Sequence, residues 1–192
     1  RRTTGHVCVK APVFPFIKLR GLDPAPGPEM KSTGEVFGSD IRADLAYLKA
    51  RLATEIPVAT EGGAYLTVRE EDKAALVPIA QSLIDLNFTI FATPGTADVL
   101  RKANIPVTTS YRIAERMHPD SLDLMRKGDV NFIVNVPTIS GGAVRDGNMM
   151  RRLAVELNIP FVTTMRGAVM EVAAMKASME NVLEPRRLEV HY

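Results

Sequence analysis

From residue 64 onward, the sequence alternates short apolar segments with longer segments whose apolar residues recur every three or four positions. The apolar segments are 64–68, 88–92, 107–109, 132–135 and 161–164, and the periodic ones are 72–86, 97–103, 121–127, 148–157 and 168–179. Such alternation of strands and helices is typical of a parallel sheet covered by helices on both faces. We therefore predict a small, doubly wound α/β domain, with a further edge strand at 188–191.

The first 54 residues have a different character. Residues 11–38 are rich in proline and glycine, which favours an extended edge strand followed by loops and supplies little material for a core. Residues 40–53 then place four apolar side chains at helical spacing, namely Ile41, Leu45, Leu48 and Leu52. A helix with such a face needs a surface to pack on, and residues 11–38 do not provide a complete one.

A linker separates these two parts. Glu61-Gly62-Gly63 is typical of a flexible connection, so we place the domain boundary near residues 54–62. The chain is then a strip of residues 1–54, which includes the connecting helix, and a doubly wound domain of residues 55–192. The sequence begins without Met or a signal-peptide core, and we expect it to be a piece of a longer protein.

Composition excludes several classes of protein. The formal net charge is only +2, and the basic residues do not concentrate in either part, so we expect no nucleic-acid partner. No apolar run reaches the roughly 18 to 20 residues of a membrane span, so we expect no membrane association. Cys8 is the single cysteine, which rules out an internal disulfide and a cysteine-rich zinc site. A cytoplasmic protein is the simplest interpretation.

Ligands of doubly wound sheets collect at the carboxyl ends of strands, and one such end here is Thr93-Pro94-Gly95-Thr96. Gly95 lets a ligand approach the backbone, the two threonines supply hydroxyl donors, and the next helix offers N–H groups at its positive end. This pattern suits a phosphate. It suits equally an ordinary strand–helix turn with Thr96 as the helix cap, and the local sequence leaves both readings open.

Two further strand ends carry polar residues. Asn135 can bind a ligand hydroxyl or base, or it can cap its own loop. Thr163 and Thr164 can line a site, although adjacent threonines also suit a strand. Lys73 and Arg112 are candidates for pairing with a phosphate, and both are also reasonable as surface charges.

The sequence shows no catalytic set. It contains no Ser/His/Asp arrangement, nucleophile elbow, Walker loop or metal-ligand cluster, and His118 stands alone near a loop. We therefore predict a binding module with no catalytic residues and no metal site of its own.

Residues 14–16, 21–24 and 27–38, the last reading Gly-Pro-Glu-Met-Lys-Ser-Thr-Gly-Glu-Val-Phe-Gly, resemble the end of the second ATP-grasp unit of carbamoyl-phosphate synthase large chains. The segments at 66–73, 92–96, 146–152 and 159–164 resemble the same family's C-terminal regulatory domain, which is similar in fold to methylglyoxal synthase. The resemblance covers the chain from about residue 8 to its end. It implies a methylglyoxal-synthase-like sheet preceded by a remnant of an ATP-grasp domain.

The resemblance also implies a function. The complete enzyme is a glutamine-hydrolysing, ATP-dependent ligase that makes carbamoyl phosphate from bicarbonate, glutamine-derived ammonia and ATP, for pyrimidine and arginine synthesis. ATP, Mg and K would serve the complete enzyme, and none of them this fragment. The partners implied are a nucleotide effector of the UMP or IMP type or phosphate, the upstream part of the large subunit, the glutaminase small subunit, and further copies in an oligomer.

Site residues carry over position by position. The resemblance implies phosphate contacts by Lys73, Thr93, Gly95 and Thr96, with Thr67 close by and Arg112 in place of a second lysine. It implies nucleotide contacts by Asn135 and Asp146, and an ornithine-type site at Phe161 and Thr163.

Some positions depart from the family pattern. Pro94 stands where many relatives have His, and Val136 and Pro137 stand where some regulated relatives have two threonines. Residues 114–119 lack the Gly-Gly-Asp motif of methylglyoxal synthase, which argues against that activity. Two alternatives remain open: a free-standing phosphate-binding lyase of the methylglyoxal synthase type, and a purely structural association domain.

Overall fold

The structure is a computed structural model that describes residues 5–14, 24–25, 32–54, 56–137, 142–180 and 183. An antiparallel hairpin of β1 (Val7–Val13) and β2 (Gly34–Asp40) precedes the helix α1 (Ala43–Leu52). The helix lies directly on the hairpin at Gly38, where a Cβ atom would lie 2.2 Å from Ala46 O. Only a glycine allows the helix and the strand to approach this closely.

The main sheet has five parallel strands: β3 (Gly63–Thr67), β4 (Thr89–Ala92), β5 (Thr108–Thr109), β6 (Phe132–Asn135) and β7 (Phe161–Val162). Their spatial order is β5-β4-β3-β6-β7. The chain winds outward from β3 to β5 and then returns to the other side of β3. The switch point therefore lies between β3 and β6, which is where doubly wound sheets bind ligands.

The helices between the strands are α2 (Lys73–Asp85), α3 (Pro94–Lys102), α4 (Ser121–Lys127), α5 (Gly142–Glu156) and α6 (Met165–Glu180). One face of the sheet packs against α2, α3 and α6, and the other packs against α4 and α5. The predicted parallel sheet with helices on both faces is thus confirmed. In the part of the chain that the structure describes, no helix has the length and apolar character needed to cross a membrane.

Most predicted helix boundaries were close, but three helices begin earlier than the periodicity indicated. The starts of α3 and α6 lie three residues earlier than predicted, and that of α5 lies six earlier. The first turn of α3 contains Pro94, which is favourable there because that position needs no N–H donor. The first six residues of α5 precede its predicted start and contain two glycines, Gly142 and Gly147. The predicted strand at 188–191 lies outside the described residues.

The helix α1 joins the hairpin to α6. Leu48 is fully buried and packs with Ala174 and Ala177 of α6. The predicted apolar face is only partly correct, because Ile41 is 70% exposed and Leu52 is 50% exposed. The small side chains of this helix contact the hairpin instead, and their proximity to Gly38 sets which face turns inward.

Candidate functional site

A cavity of about 210 Å³ opens at the carboxyl ends of β3, β4 and β6. Eight residues that the sequence singled out line it together: Thr67, Lys73, Thr93, Gly95, Thr96, Arg112, Asn135 and Asp146. They come from three strand ends, two helix starts and the segment before α4. The fold therefore brings residues that are up to 79 positions apart to one place, as expected for ligand sites in doubly wound sheets.

The turn between β4 and α3 forms one wall of the cavity. Thr93 occupies the cap position with an extended backbone, and its carbonyl accepts hydrogen bonds from Thr96 N at 3.0 Å and Ala97 N at 2.8 Å. Thr96 is therefore inside the first helical turn, so the alternative in which it caps the helix is wrong. Pro94 has no N–H and cannot donate a hydrogen bond to a ligand. The hydroxyls of Thr93 and Thr96 are therefore important donors at this helix start.

Lys73 places its ammonium group over this turn. A Cβ atom at position 95 would lie only 3.0 Å from Lys73 Nζ, so Gly95 leaves the space that the ammonium group occupies. The Lys73 side chain is only 14% exposed, whereas Glu70, with which it forms an ion pair, is 83% exposed. The ligand-free cavity thus holds a largely enclosed cation whose anionic partner stands in solvent.

Two further cations belong to the rim. Arg69 Nε lies 2.6 Å from Asp72 Oδ2, and this hydrogen bond raises the pKa of Arg69 above its usual value. Its charge is therefore directed toward Asp72. Arg112 is exposed, and its backbone N donates to Glu115 Oε2 at 3.0 Å, which fixes the short helical turn after it.

The opposite wall combines an amide and a carboxylate. Asn135 ends β6 and is 5% exposed, and its Oδ1 accepts a hydrogen bond from the guanidinium of Arg151. Asp146 lies on α5 and accepts from Ala114 N at 3.3 Å. This wall is polar and carries a carboxylate, so it suits hydroxyl or base groups better than a second phosphate.

Sequence reasoning missed a buried tyrosine at the base of the cavity. Tyr65 lines the cavity at 1% exposure, and its hydroxyl lies 2.7 Å from Ser110 Oγ. Burial raises the pKa of Tyr65 to about 12, so the phenol stays protonated at neutral pH. The alternation of β3 could have indicated it, because Tyr65 faces away from the core in which Leu66 packs.

One group of potential metal ligands also escaped sequence reasoning. Ligand atoms of His118, Asp120 and Asp123 lie within 4.8 Å of one another. Asp120 accepts hydrogen bonds from Leu122 N and Asp123 N, at 2.8 and 3.0 Å, and so caps α4. Helix capping explains this grouping, and we assign no metal to it.

A second cavity of about 360 Å³ brings together Phe161 and Thr163, the residues of the expected ornithine-type site. Part of its wall comes from the N-terminal strip, through Phe14, Pro24 and Arg51. Among the described residues that line this cavity, Arg51 is the one that carries a charge. This cavity is thus lined by both parts of the chain.

The first cavity has the composition of an anion-binding pocket. Its lining contains three cationic side chains, those of Arg69, Lys73 and Arg112, against the two carboxylates of Glu70 and Asp146, together with three threonine hydroxyls. Among the described residues that line it, there is neither a histidine nor a cysteine. Charge-assisted hydrogen bonds from such groups can hold the phosphate of a small ligand.

Comparison with known proteins shows which family the chain resembles. Residues 75–163 match the family model of the MGS-like domain. The chain is 44% identical over 90% of its length to a carbamoyl phosphate synthase large chain, C-terminal section, of Methanocaldococcus jannaschii, and covers 28% of that protein. It is 42% identical over 93% of its length to the corresponding protein of Methanopyrus kandleri, and covers 31% of it.

A third relative is a carbamoyl phosphate synthase large chain of Archaeoglobus fulgidus, which is 42% identical over 90% of this chain and of which 16% is covered. The chain thus spans less than a third of the length of each of these relatives. The resemblance found in the sequence is confirmed: the chain contains an MGS-like domain and matches the C-terminal part of carbamoyl phosphate synthase large chains.

Proposed function

We propose that this chain is the regulatory C-terminal part of a carbamoyl-phosphate synthase large subunit and binds the phosphate group of a nucleotide effector of the UMP or IMP type. One observation carries this proposal: Lys73, Thr93 and Thr96 converge on the cavity at the switch point of the sheet. Free phosphate would bind to the same groups.

Each wall of the cavity has its own part in this proposal. The ammonium of Lys73 and the hydroxyls of Thr93 and Thr96 hold the phosphate, and Gly95 leaves room for that ammonium group. Arg112 adds charge at the rim. Asn135 and Asp146 face the sugar or base, because Asp146 would repel a phosphate but can accept hydrogen bonds from hydroxyl groups.

In the complete enzyme, this module would regulate catalysis that takes place elsewhere. ATP, Mg and K belong to the upstream catalytic unit, and we assign none of them to this chain. Three apolar side chains of the N-terminal strip, Phe37, Ile41 and Leu52, are at least half exposed. Such a surface suits burial against the upstream part of the large subunit. The glutaminase small subunit and further copies complete the proposed assembly.

Calorimetric titration of the whole chain with UMP, IMP and inorganic phosphate tests the proposal. Loss of a hydrogen bond to a charged group costs about 1.5–3 kcal/mol of binding free energy. Lys73→Met should therefore lower the affinity for UMP roughly ten- to hundredfold. Lys102→Met is the matched control. Lys102 is an exposed lysine at the C-terminal end of α3, whereas the cavity lies at the N-terminal end of that helix. Equal affinities for UMP in the two variants would contradict the assigned role of Lys73.

The same preparation separates the two alternatives. A lyase of the methylglyoxal synthase type would release phosphate from dihydroxyacetone phosphate, and a purely structural domain would bind neither nucleotide nor phosphate. We propose that binding occurs without turnover. Measurable phosphate release that is lost in Lys73→Met would favour the lyase instead.

For the second cavity, we propose an amino-acid ligand of the ornithine type. Phe161 and Thr163 support this assignment, because they line this cavity together. Arg51 also lines it, but its guanidinium is paired with Glu171, and we assign it no contact with the ligand. Titration with ornithine is the direct test. Thr163→Val should weaken binding, and unchanged affinity in that variant would contradict the assignment.

A further inference from the structure

A buried arginine lies behind the polar wall of the phosphate cavity. Arg151, in α5, is only 2% exposed, and its Nη1 donates a hydrogen bond to Asn135 Oδ1. Arg151 does not itself line the cavity, whereas Asn135 does. The arginine therefore contacts a residue of the cavity wall from the protein side.

The backbone of α5 is shaped to admit this pair. A Cβ atom at position 147 would lie 2.9 Å from Arg151 Nη1 and 3.1 Å from Asn135 Oδ1. The first contact would force Arg151 to shift and the second is tighter than usual, so a glycine here leaves the hydrogen-bonded pair undisturbed in the middle of a helix. Glycine at such a position costs about 1 kcal/mol relative to alanine, so the sequence gives up helix stability at the place where the pair fits.

The chemistry of the two groups fixes the orientation of the amide. A guanidinium only donates hydrogen bonds, whereas an Asn side chain has an accepting oxygen at one end and a donating NH2 group at the other. Asn135 must therefore turn its Oδ1 toward Arg151. The Nδ2 group is then the end of the amide that can serve a ligand. Without Arg151, the amide could rotate into either of two orientations of similar shape.

We infer that Arg151 is a positioning residue that holds Asn135 with its NH2 group available to the ligand, so that this wall selects a ligand with a hydrogen-bond acceptor. A sugar oxygen or a carbonyl oxygen of a base meets this requirement. The inference rests on the proposed nucleotide site, but it concerns the wall opposite the phosphate. Inorganic phosphate does not need this wall, so its affinity reports on Lys73 and the threonines alone.

Titration of the whole chain with UMP and with inorganic phosphate tests the inference. Loss of one neutral hydrogen bond is worth roughly three- to tenfold in affinity. Arg151→Met should lower the affinity for UMP by that factor, and the affinity for phosphate should stay within about twofold of its original value. The neighbouring Arg152, which is exposed, provides the matched control, and Arg152→Met should change neither affinity.

A double-mutant cycle distinguishes positioning from simple structural support. Asn135→Ala should lower the affinity for UMP as much as Arg151→Met does. The double variant should bind UMP no more weakly than either single variant. Arg151→Lys keeps a donor for Oδ1 and should restore part of the UMP affinity. Additive losses in the double variant, or parallel losses of UMP and phosphate in Arg151→Met, would overturn the inference.

A ligand-free measurement keeps this inference separate from the proposed function. The side-chain amide resonances of Asn135, assigned with Asn135→Ala, should shift in Arg151→Met and stay in place in Arg152→Met. Unchanged resonances in Arg151→Met overturn the inference even if UMP binds. Failure of wild-type chain to bind UMP or phosphate, with the resonance shift present, overturns the proposed function and leaves the Arg151–Asn135 arrangement established.

Discussion

The helix α1 is held against α6 by a buried ion pair whose removal has a calculable cost. Glu171 is completely buried, and its carboxylate accepts from Arg51 Nε at 2.8 Å and Nη2 at 3.0 Å. Tyr47 adds a third donor, with its hydroxyl 2.9 Å from Glu171 Oε2. The pKa of Tyr47 is raised, first by burial and then by the charge of Glu171, so the phenol remains a donor. Arg51 and Tyr47 both belong to α1.

Removing one member leaves the other partner without its counter-charge. Breaking a buried ion pair costs about 3–5 kcal/mol. The Arg51 side chain retains 12% exposure, so water can solvate part of the freed guanidinium, and we expect Glu171→Gln to lose about 3 kcal/mol. Arg51→Met should lose more of the free energy of unfolding, about 4–5 kcal/mol, because it leaves an unpaired carboxylate that is completely buried.

Equilibrium urea unfolding measures these losses. The double variant Arg51→Met/Glu171→Gln removes both charges and keeps an amide oxygen as acceptor for Tyr47, so its loss should be smaller than either single loss. The cycle then gives a coupling energy of several kcal/mol. If the two single losses instead add in the double variant, the pair does not act as a unit, and the argument that it fixes α1 on α6 is refuted.

Three further predictions concern other parts of the chain. Gly38→Ala should destabilise by about 1–3 kcal/mol through overpacking against α1, whereas Gly34→Ala, which meets no atom within 4 Å, should change the unfolding midpoint little. Glu70→Gln should tighten binding of inorganic phosphate by at most about fivefold, because an exposed ion pair is worth at most ~1 kcal/mol; weaker binding would contradict the competition between Glu70 and phosphate. The hydrogen bond to Asp123 raises the pKa of His118, so the stability from this pair is present below pH ~6.5 and is lost as the pH rises through the raised value. An NMR titration should show that pKa returning toward ~6.5 in Asp123→Asn, and no change there would contradict the pairing.

The sequence predicted the fold well because its signals are local and agree with one another. Each strand of the main sheet was recognised from an apolar run of two to five residues between turn signals, and parallel pairing followed from the alternation with helices. The starts of α3 and α5 were wrong because both lie in segments of proline and glycine, where periodicity has no apolar residues to count. The exposure of Ile41 and Leu52 was not predicted, because helical spacing shows which side chains share a face but not whether another surface covers that face.

Some residues of the candidate site could likewise be predicted from the sequence, and others could not. Thr93, Gly95, Thr96 and Asn135 were found because they follow strands, and the carboxyl ends of parallel strands meet at one edge. Lys73 was a candidate cation from its place at the start of a helix, and the resemblance implied its contact with a phosphate at that edge. The contribution of Glu70 could have been predicted, because it precedes Lys73 by three residues, a spacing at which opposite charges pair on a helix. The contribution of Arg151 could not, because it acts through side-chain contacts between α5 and β6. Such contacts leave no periodic trace in a sequence.

Pro94 connects the local chemistry of the cavity to the way it would work as a switch. A helix start that offers several backbone N–H groups binds phosphate without needing any particular side chain. Here the proline removes one donor and the carbonyl of Thr93 accepts from Thr96 N, so fewer backbone donors remain and affinity depends more on Lys73 and two hydroxyls. Lys73 is moreover paired with Glu70 before any ligand arrives, and a phosphate must displace that carboxylate. A site built in this way binds reversibly, and its affinity can follow small movements of the segment that carries Glu70 and Lys73.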